Sequence, residues 1–195
     1  MHLTLSRRQV LASTLACVGL AACQSKANFK SIDITGANYA QHFELPDTEG
    51  RVRTLAEFKG QLVVLFFGYT QCPDVCPTTL QELTQARQQM GAKGEPVQVI
   101  FITLDPERDT PEVLREYMKS FDPHYIALVP DADQLAQAAR EFKVIYRKVP
   151  GSTGTSYTME HTAASFVFDT QGRIRLYTRY GMGPKALAED LQQLL

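Results

Sequence analysis

The chain has 195 residues, with 20 lysines and arginines against 21 aspartates and glutamates and a formal net charge of −1. It carries no basic block, which argues against nucleic acid as a partner. Tryptophan is absent, and beyond the first 23 residues no segment is apolar enough to span a bilayer.

Residues 1–22 have the layout of a secretory signal: Arg7 and Arg8, an apolar stretch from Val10 to Leu20, then small residues. Leu20-Ala21-Ala22-Cys23 resembles the bacterial lipobox, so Cys23 is expected to be the lipidated N-terminus. Thr14-Leu15-Ala16-Cys17 fits that box less well, because Leu15 is bulky where a small residue is wanted. The paired arginines leave general secretion and twin-arginine export both open. The expected location is outside the cytoplasm, anchored to a bacterial membrane by lipid, on the periplasmic face in a Gram-negative cell. Removing 22 of 195 residues leaves 173, enough for one domain with a sizeable core.

Residues 23–39 are polar, lack a period and read as a tether; the domain is expected over 40–195. The segment "HFELPDTEGRVRTLAEF" holds two strand-like runs around Asp47-Thr48-Glu49-Gly50, an N-terminal hairpin. "GQLVVLFFGYT" is a continuous apolar run, the pattern of a strand buried on both faces. Leu80, Leu83 and Ala86 then recur at helical spacing from Pro77 to about Met90. "VQVIFITL" is a second buried strand, and Thr110-Pro111-Glu112 starts a helix. "YIALV", "DADQLAQAAREF" and "KVIYRKV" read as strand, helix and extended segment. "GSTGTSYTME" is a Gly/Ser/Thr-rich loop. "ASFVFD", a Thr170-Gln171-Gly172 turn and "RIRLYTRY" make a strand pair, and a last amphipathic helix begins at Pro184. The fold class is α/β, three layers around a mixed central sheet. Its first central strand delivers Cys72 and Cys76 at its carboxyl end, where open α/β sheets place their sites.

With Cys17 in the signal and Cys23 lipidated, Cys72 and Cys76 are the remaining thiols. A disulfide framework would use more cysteines, spread along the chain. Cys76 at a helix start, where unpaired N–H groups favour negative charge, suits a thiolate. The pair is therefore a redox couple, a soft-metal clamp or two packed thiols. Three intervening residues make the loop wider than a C-x-x-C redox turn, and two thiolates are an incomplete copper or zinc site. A binuclear-copper site would need a histidine and a methionine just downstream, where Leu80 and Leu83 stand. Peroxiredoxin chemistry wants a threonine three residues before its cysteine, where Tyr69 and Pro73 stand. His42 and His124 read as surface or packing residues. His161, just ahead of the strand expected beside the cysteine loop, is the candidate third ligand.

"FFGYTQCPDVCPTTL", "TLDPERDTPEVLREYMKSF" and "MEHTAASFVFDTQGRI" together resemble the Sco (SenC) family of copper-binding thioredoxin-fold proteins, over roughly residues 40–194. The resemblance implies a thioredoxin-like domain and a copper site of Cys72, Cys76 and His161, suited to Cu(I) and, with a fourth ligand, to Cu(II). Asp105 matches an acidic position near the metal, as a possible ligand or an outer partner. Where thioredoxin-like reductases carry a cis-proline, this chain has Thr162-Ala163-Ala164, which favours copper over general dithiol exchange. The implied function is copper delivery to the copper centre of a respiratory oxidase subunit. Its alternative is a thiol–disulfide oxidoreductase using Cys72 and Cys76 as a redox-active pair. Further partners implied are another copper chaperone or a thioredoxin-like reductant, and the membrane through lipid at Cys23.

Overall fold

The computed structural model describes residues 27–152 and 156–195; the signal, both lipobox cysteines and the centre of the Gly/Ser/Thr-rich loop lie outside them. In chain order the first strands are β1 (Ile32–Asp33), β2 (Glu44–Pro46) and β3 (Val52–Thr54), the last two forming the expected hairpin. Gly50 takes φ 77° in its turn, a conformation that excludes most side chains. The apolar run becomes β4 (Leu62–Gly68), buried along its whole length. Helix α1 (Val75–Met90) follows, starting two residues ahead of Pro77 so that Cys76 lies in its first turn.

Next come β5 (Val97–Thr103) and α2 (Pro111–Lys119), the latter capped by the Thr110 hydroxyl, which accepts from the Val113 N–H. After β6 (Ile126–Leu128), Asp131 and Gln134 form a reciprocal cap that starts α3 (Ala132–Glu141). Strands β7 (Tyr146–Pro150) and β8 (Tyr157–His161) pair with each other outside the main sheet. The chain closes with β9 (Ala164–Phe168), β10 (Ile174–Arg179) and α4 (Pro184–Gln192).

The six-stranded sheet has the order β1-β10-β9-β4-β5-β6. Strands β4, β5 and β6 are parallel, whereas β9 runs antiparallel to both β4 and β10, so the sheet is mixed as expected. Successive side chains of β4 point to opposite faces. On one face Phe66 meets Phe101, which meets Tyr117 of α2, and α1 packs on α4. On the other, Phe142 at the end of α3 sits among Phe67, Phe166 and Phe168 at 5.2–6.3 Å between ring centres for Phe166 and Phe168 and 5.3 Å for Phe67. This sandwich fixes the carboxyl end of β4, and with it the cysteine loop.

Two segments differ from expectation. Inside the span read as a tether, β1 pairs with β10, Ile32 opposite Tyr177. The physical reason is Asp190 on α4, buried at 1% exposure, whose carboxylate accepts the N–H groups of Lys30 and Ser31, each at 2.7 Å. Second, the expected loop 151–160 yields residues 157–160 to β8, because β7 offers a pairing edge from Tyr146 to Pro150. Replacing Asp190 by Ala is expected to cost about 2 kcal/mol, the scale of charge-assisted hydrogen bonds to a buried group. Urea denaturation measures that loss, and amide exchange should lose protection at Ser31 and Ile32 while β4 keeps its own.

Candidate metal centre

Gly68 ends β4 and the chain turns through Tyr69, Thr70 and Gln71 into Cys72. A Cβ at Gly68 would lie 2.9 Å from Cys76 Sγ and 2.7 Å from the Phe101 ring, so only glycine lets the thiol pack against the strand end. The Cys72 N–H donates to the Tyr69 carbonyl (3.3 Å), and the Cys76 N–H points at Cys72 Sγ (3.4 Å). Cys76 is buried and Cys72 half-buried; neither is in a disulfide.

His161 ends β8 and is set against the ring edges of Phe66 and Tyr69, at 6.2 and 6.1 Å between centres. Its Nδ1 lies 3.0 Å from the Thr162 carbonyl oxygen. A carbonyl only accepts, so Nδ1 carries the proton and Nε2 keeps its lone pair. That nitrogen lies 3.7 Å from Cys76 Sγ. The donor atoms of Cys72, Cys76 and His161 all fall within 4.8 Å of one another, and among the described residues this is the group of His, Cys, Asp and Glu side chains that converges so.

The two thiols are unequal. The Cys76 S–H donates to Cys72, and the Asp74 and Cys76 N–H groups add to it, so the Cys72 thiol falls to about 3 against the opposing effect of burial. The Cys72 thiolate and burial together push the Cys76 thiol up, with Asp109 adding further repulsion. One thiolate, one retained thiol proton and one imidazole lone pair therefore face a cleft floored by Tyr69, Pro73 and Met159. Loss of the Cys76 proton to a thiophilic cation would complete two thiolates and one imidazole, a soft donor set.

Asp105 does not join this group. It is buried at 1% exposure, one oxygen accepts from the Tyr157 hydroxyl (2.8 Å), and the other is paired with Arg108 Nε. Of the two roles expected for Asp105, possible ligand or outer partner, the engagement of both carboxylate oxygens fits the outer one. His42 and His124 lie out at the surface, 79% and 81% exposed, beside Glu141 and Asp122. Cys23 lies outside the described residues. Sequence reasoning passed over Gly68, Asp109 and Arg108. Asp109 is fully buried, and its carboxylate accepts from the Thr70 N–H (3.1 Å), the Thr70 hydroxyl (2.5 Å) and the Thr103 hydroxyl (2.6 Å). Burial pushes its pKa up, and those three donors hold the turn that leads to Cys72. The available signal was the i, i+3, i+4 spacing of Asp105, Arg108 and Asp109, which closes one tight turn (Asp109 N–H to the Asp105 carbonyl, 2.9 Å).

The SCO1/SenC family model matches residues 33–195. The mitochondrial SCO2 homolog of Bos taurus is 41% identical over 140 residues, covering 71% of this chain and 52% of that protein. The chain thus spans about half the length of that relative. A structure of Bradyrhizobium japonicum ScoI with copper bound is 40% identical with a TM-score of 0.71, covering 79% of this chain and 98% of that one. The solution structure of apo Sco1 from Thermus thermophilus is 36% identical with a TM-score of 0.77, covering 88% and 99%.

Proposed function

The chain belongs to the SCO1/SenC family, and from that premise we propose that it is a copper metallochaperone, binding Cu(I) through Cys72, Cys76 and His161. The observation that carries this reading is the convergence of three soft donors within 4.8 Å, with the imidazole already in the tautomer that exposes Nε2. Two thiolates and an imidazole hold Cu(I) in three-coordinate geometry, and an added oxygen or nitrogen donor would serve Cu(II). The half-exposed Cys72 lets an incoming thiolate reach the metal first, so copper passes by stepwise ligand exchange.

The recipient in this reading is the copper centre of a respiratory oxidase subunit. The family resemblance supports this recipient, and the copper-bound B. japonicum ScoI supports copper as the cargo. Copper would arrive from another copper chaperone, and the chain would work outside the cytoplasm, held to a membrane by lipid at Cys23. No helix of the described residues is long and apolar enough to cross a membrane.

The inequality of the thiols favours a second reading, thiol–disulfide exchange. The Cys72 thiolate attacks a target disulfide and releases one target thiolate. Cys76, giving up its proton, then attacks Cys72 Sγ and releases the second, so the target gains two electrons and this chain keeps a Cys72–Cys76 disulfide. A thioredoxin-like reductant would restore the dithiol. The two acts are compatible, since a recipient's cysteines must be reduced before they take copper.

Titration of the reduced chain with Cu(I) under anaerobic conditions, against a competing chelator, is expected to give one tightly held ion per chain, and none in Cys72→Ala. Tight binding that survives Cys72→Ala would overturn the site assignment. Failure of the wild type to compete would leave dithiol exchange as the function to assay.

A further inference from the structure

The histidine hairpin and the cysteine loop belong to different parts of the fold. Strands β7 and β8 pair with each other and are not in the central sheet, whereas the cysteines sit at the end of β4. The distance between His161 and the thiols therefore depends on what ties the hairpin to the sheet. The hairpin's base is held by the two-residue link to β9 and by buried Met159, and the turn 105–109 after β5 ties its far end, where Arg108 touches both sides of the gap.

Arg108 Nη1 donates to Gln71 Oε1 in the cysteine loop and to the Tyr157 carbonyl at the start of β8, each at 3.0 Å. Its guanidinium lies 3.6 Å over the Tyr157 ring and 5.9 Å from that of Tyr69. Asp105 orients it through Nε while taking the Tyr157 hydroxyl proton on its other oxygen. Nη2 is buried without a hydrogen-bond partner, so the group rests on stacking and on the fork of its other nitrogens. A third tie, Lys148 to Glu107 at 2.5 Å, is exposed on both sides and adds little.

We propose that Arg108 is a positioning residue that holds the His161 hairpin against the cysteine loop, so that its loss shifts the chain part of the way from a three-donor to a two-donor site without unfolding it. The inference rests on the reading of Cys72, Cys76 and His161 as a metal site, but its first test does not need metal. Three residues of strand separate Tyr157, at the turn end of the hairpin, from His161 at its base, two residues ahead of β9, so releasing Tyr157 lets β8 pivot about that base and tilts the imidazole away from the thiols. Lysine cannot replace arginine here: it keeps a charge for Asp105 but lacks the planar fork that reaches Gln71 and Tyr157 together.

The experiment compares wild type, Arg108→Met and Arg108→Lys as metal-free chains by long-range proton–nitrogen spectra of the imidazoles. Wild type is expected to show the His161 ring protons shifted by the Phe66 and Tyr69 rings whose edges they face, and both variants to lose that shift and move toward the positions of exposed His42 and His124. Competition with a Cu(I) chelator is then run with and without His161→Ala. Arg108→Met should weaken Cu(I) binding about 10-fold when His161 is present and less than about 2-fold when it is absent, the non-additivity of two residues acting through one contact. An unchanged His161 signal, or an equal loss in both backgrounds, overturns the proposal. Should Met at 108 prevent folding, the Lys variant decides by the same two readings. Should wild type bind no copper, the metal reading falls and the imidazole spectra still decide whether Arg108 positions His161.

Discussion

His161→Ala is expected to lower the Cu(I) affinity of the chain about 100-fold, or about 2.7 kcal/mol, while slowing dithiol exchange no more than about 3-fold. The first figure follows from removing one of three donors: perturbing even an outer partner of a metal ligand costs about 10–100-fold, and a direct donor sits at or above the top of that range. The second follows from what sets the Cys72 thiolate. Its largest stabilisation comes from Cys76, and an imidazole with its proton on Nδ1 has no N–H to offer the sulfur, so the nucleophile survives without it. The fold should survive too, since the ring is half-buried and its edge contacts with Phe66 and Tyr69 amount to about 1 kcal/mol each. Chelator competition and exchange with a model disulfide measure the two quantities on one preparation. An affinity within a few-fold of wild type would mean that the thiols alone hold the metal and that His161 is a packing residue.

How much of this site could be read from the chain differs from element to element. The run Leu62–Gly68 reads as a doubly buried strand because every residue in it is apolar or glycine, and it is buried throughout. Thr110 and Asp131 read as helix starts because capping is local chemistry, and both caps form. The cysteine pair follows from position alone, at the end of that strand. What stayed hidden depends on partners far away in sequence. The two residues of β1 carry no strand signal of their own, and their place is set by Asp190, about 160 residues later. Strand β7 reads as extended, but its partner β8 hides behind exposed charge, Glu160 facing Arg147 across the pair, instead of an apolar alternation. Gly68 looks like the end of a strand, and its need to be glycine appears only when Cys76 Sγ is seen against it. Arg108 looks like one more surface charge until the turn carries it between Gln71 and Tyr157.

The asymmetry of the thiols has a measurable signature in alkylation. Iodoacetamide is expected to modify Cys72 and leave Cys76 untouched while the chain is folded, because Cys76 is fully buried and keeps its proton. Rate alone would be a poor test of the low Cys72 value. Lowering a thiol from about 8.5 to about 3 raises its thiolate fraction at pH 6 about 300-fold, and lowers the thiolate's intrinsic nucleophilicity by a similar factor. The two effects nearly cancel near pH 6, and at pH 7 an ordinary cysteine reacts faster. The pH dependence does not cancel. An ordinary thiol gains about 10-fold in rate per pH step below its pKa, whereas Cys72, ionised down to about 3, should react at a constant rate from pH 5 to pH 8 and slow only as acid approaches its own value. Cys76→Ala removes the thiol that donates to Cys72 and should move the onset of that plateau upward, which ties the flat profile to the pair. A tenfold rise per pH step between 5 and 8 in the wild type would mean that Cys72 is an ordinary thiol, and the asymmetric dithiol would then have to be abandoned along with the exchange sequence built on it.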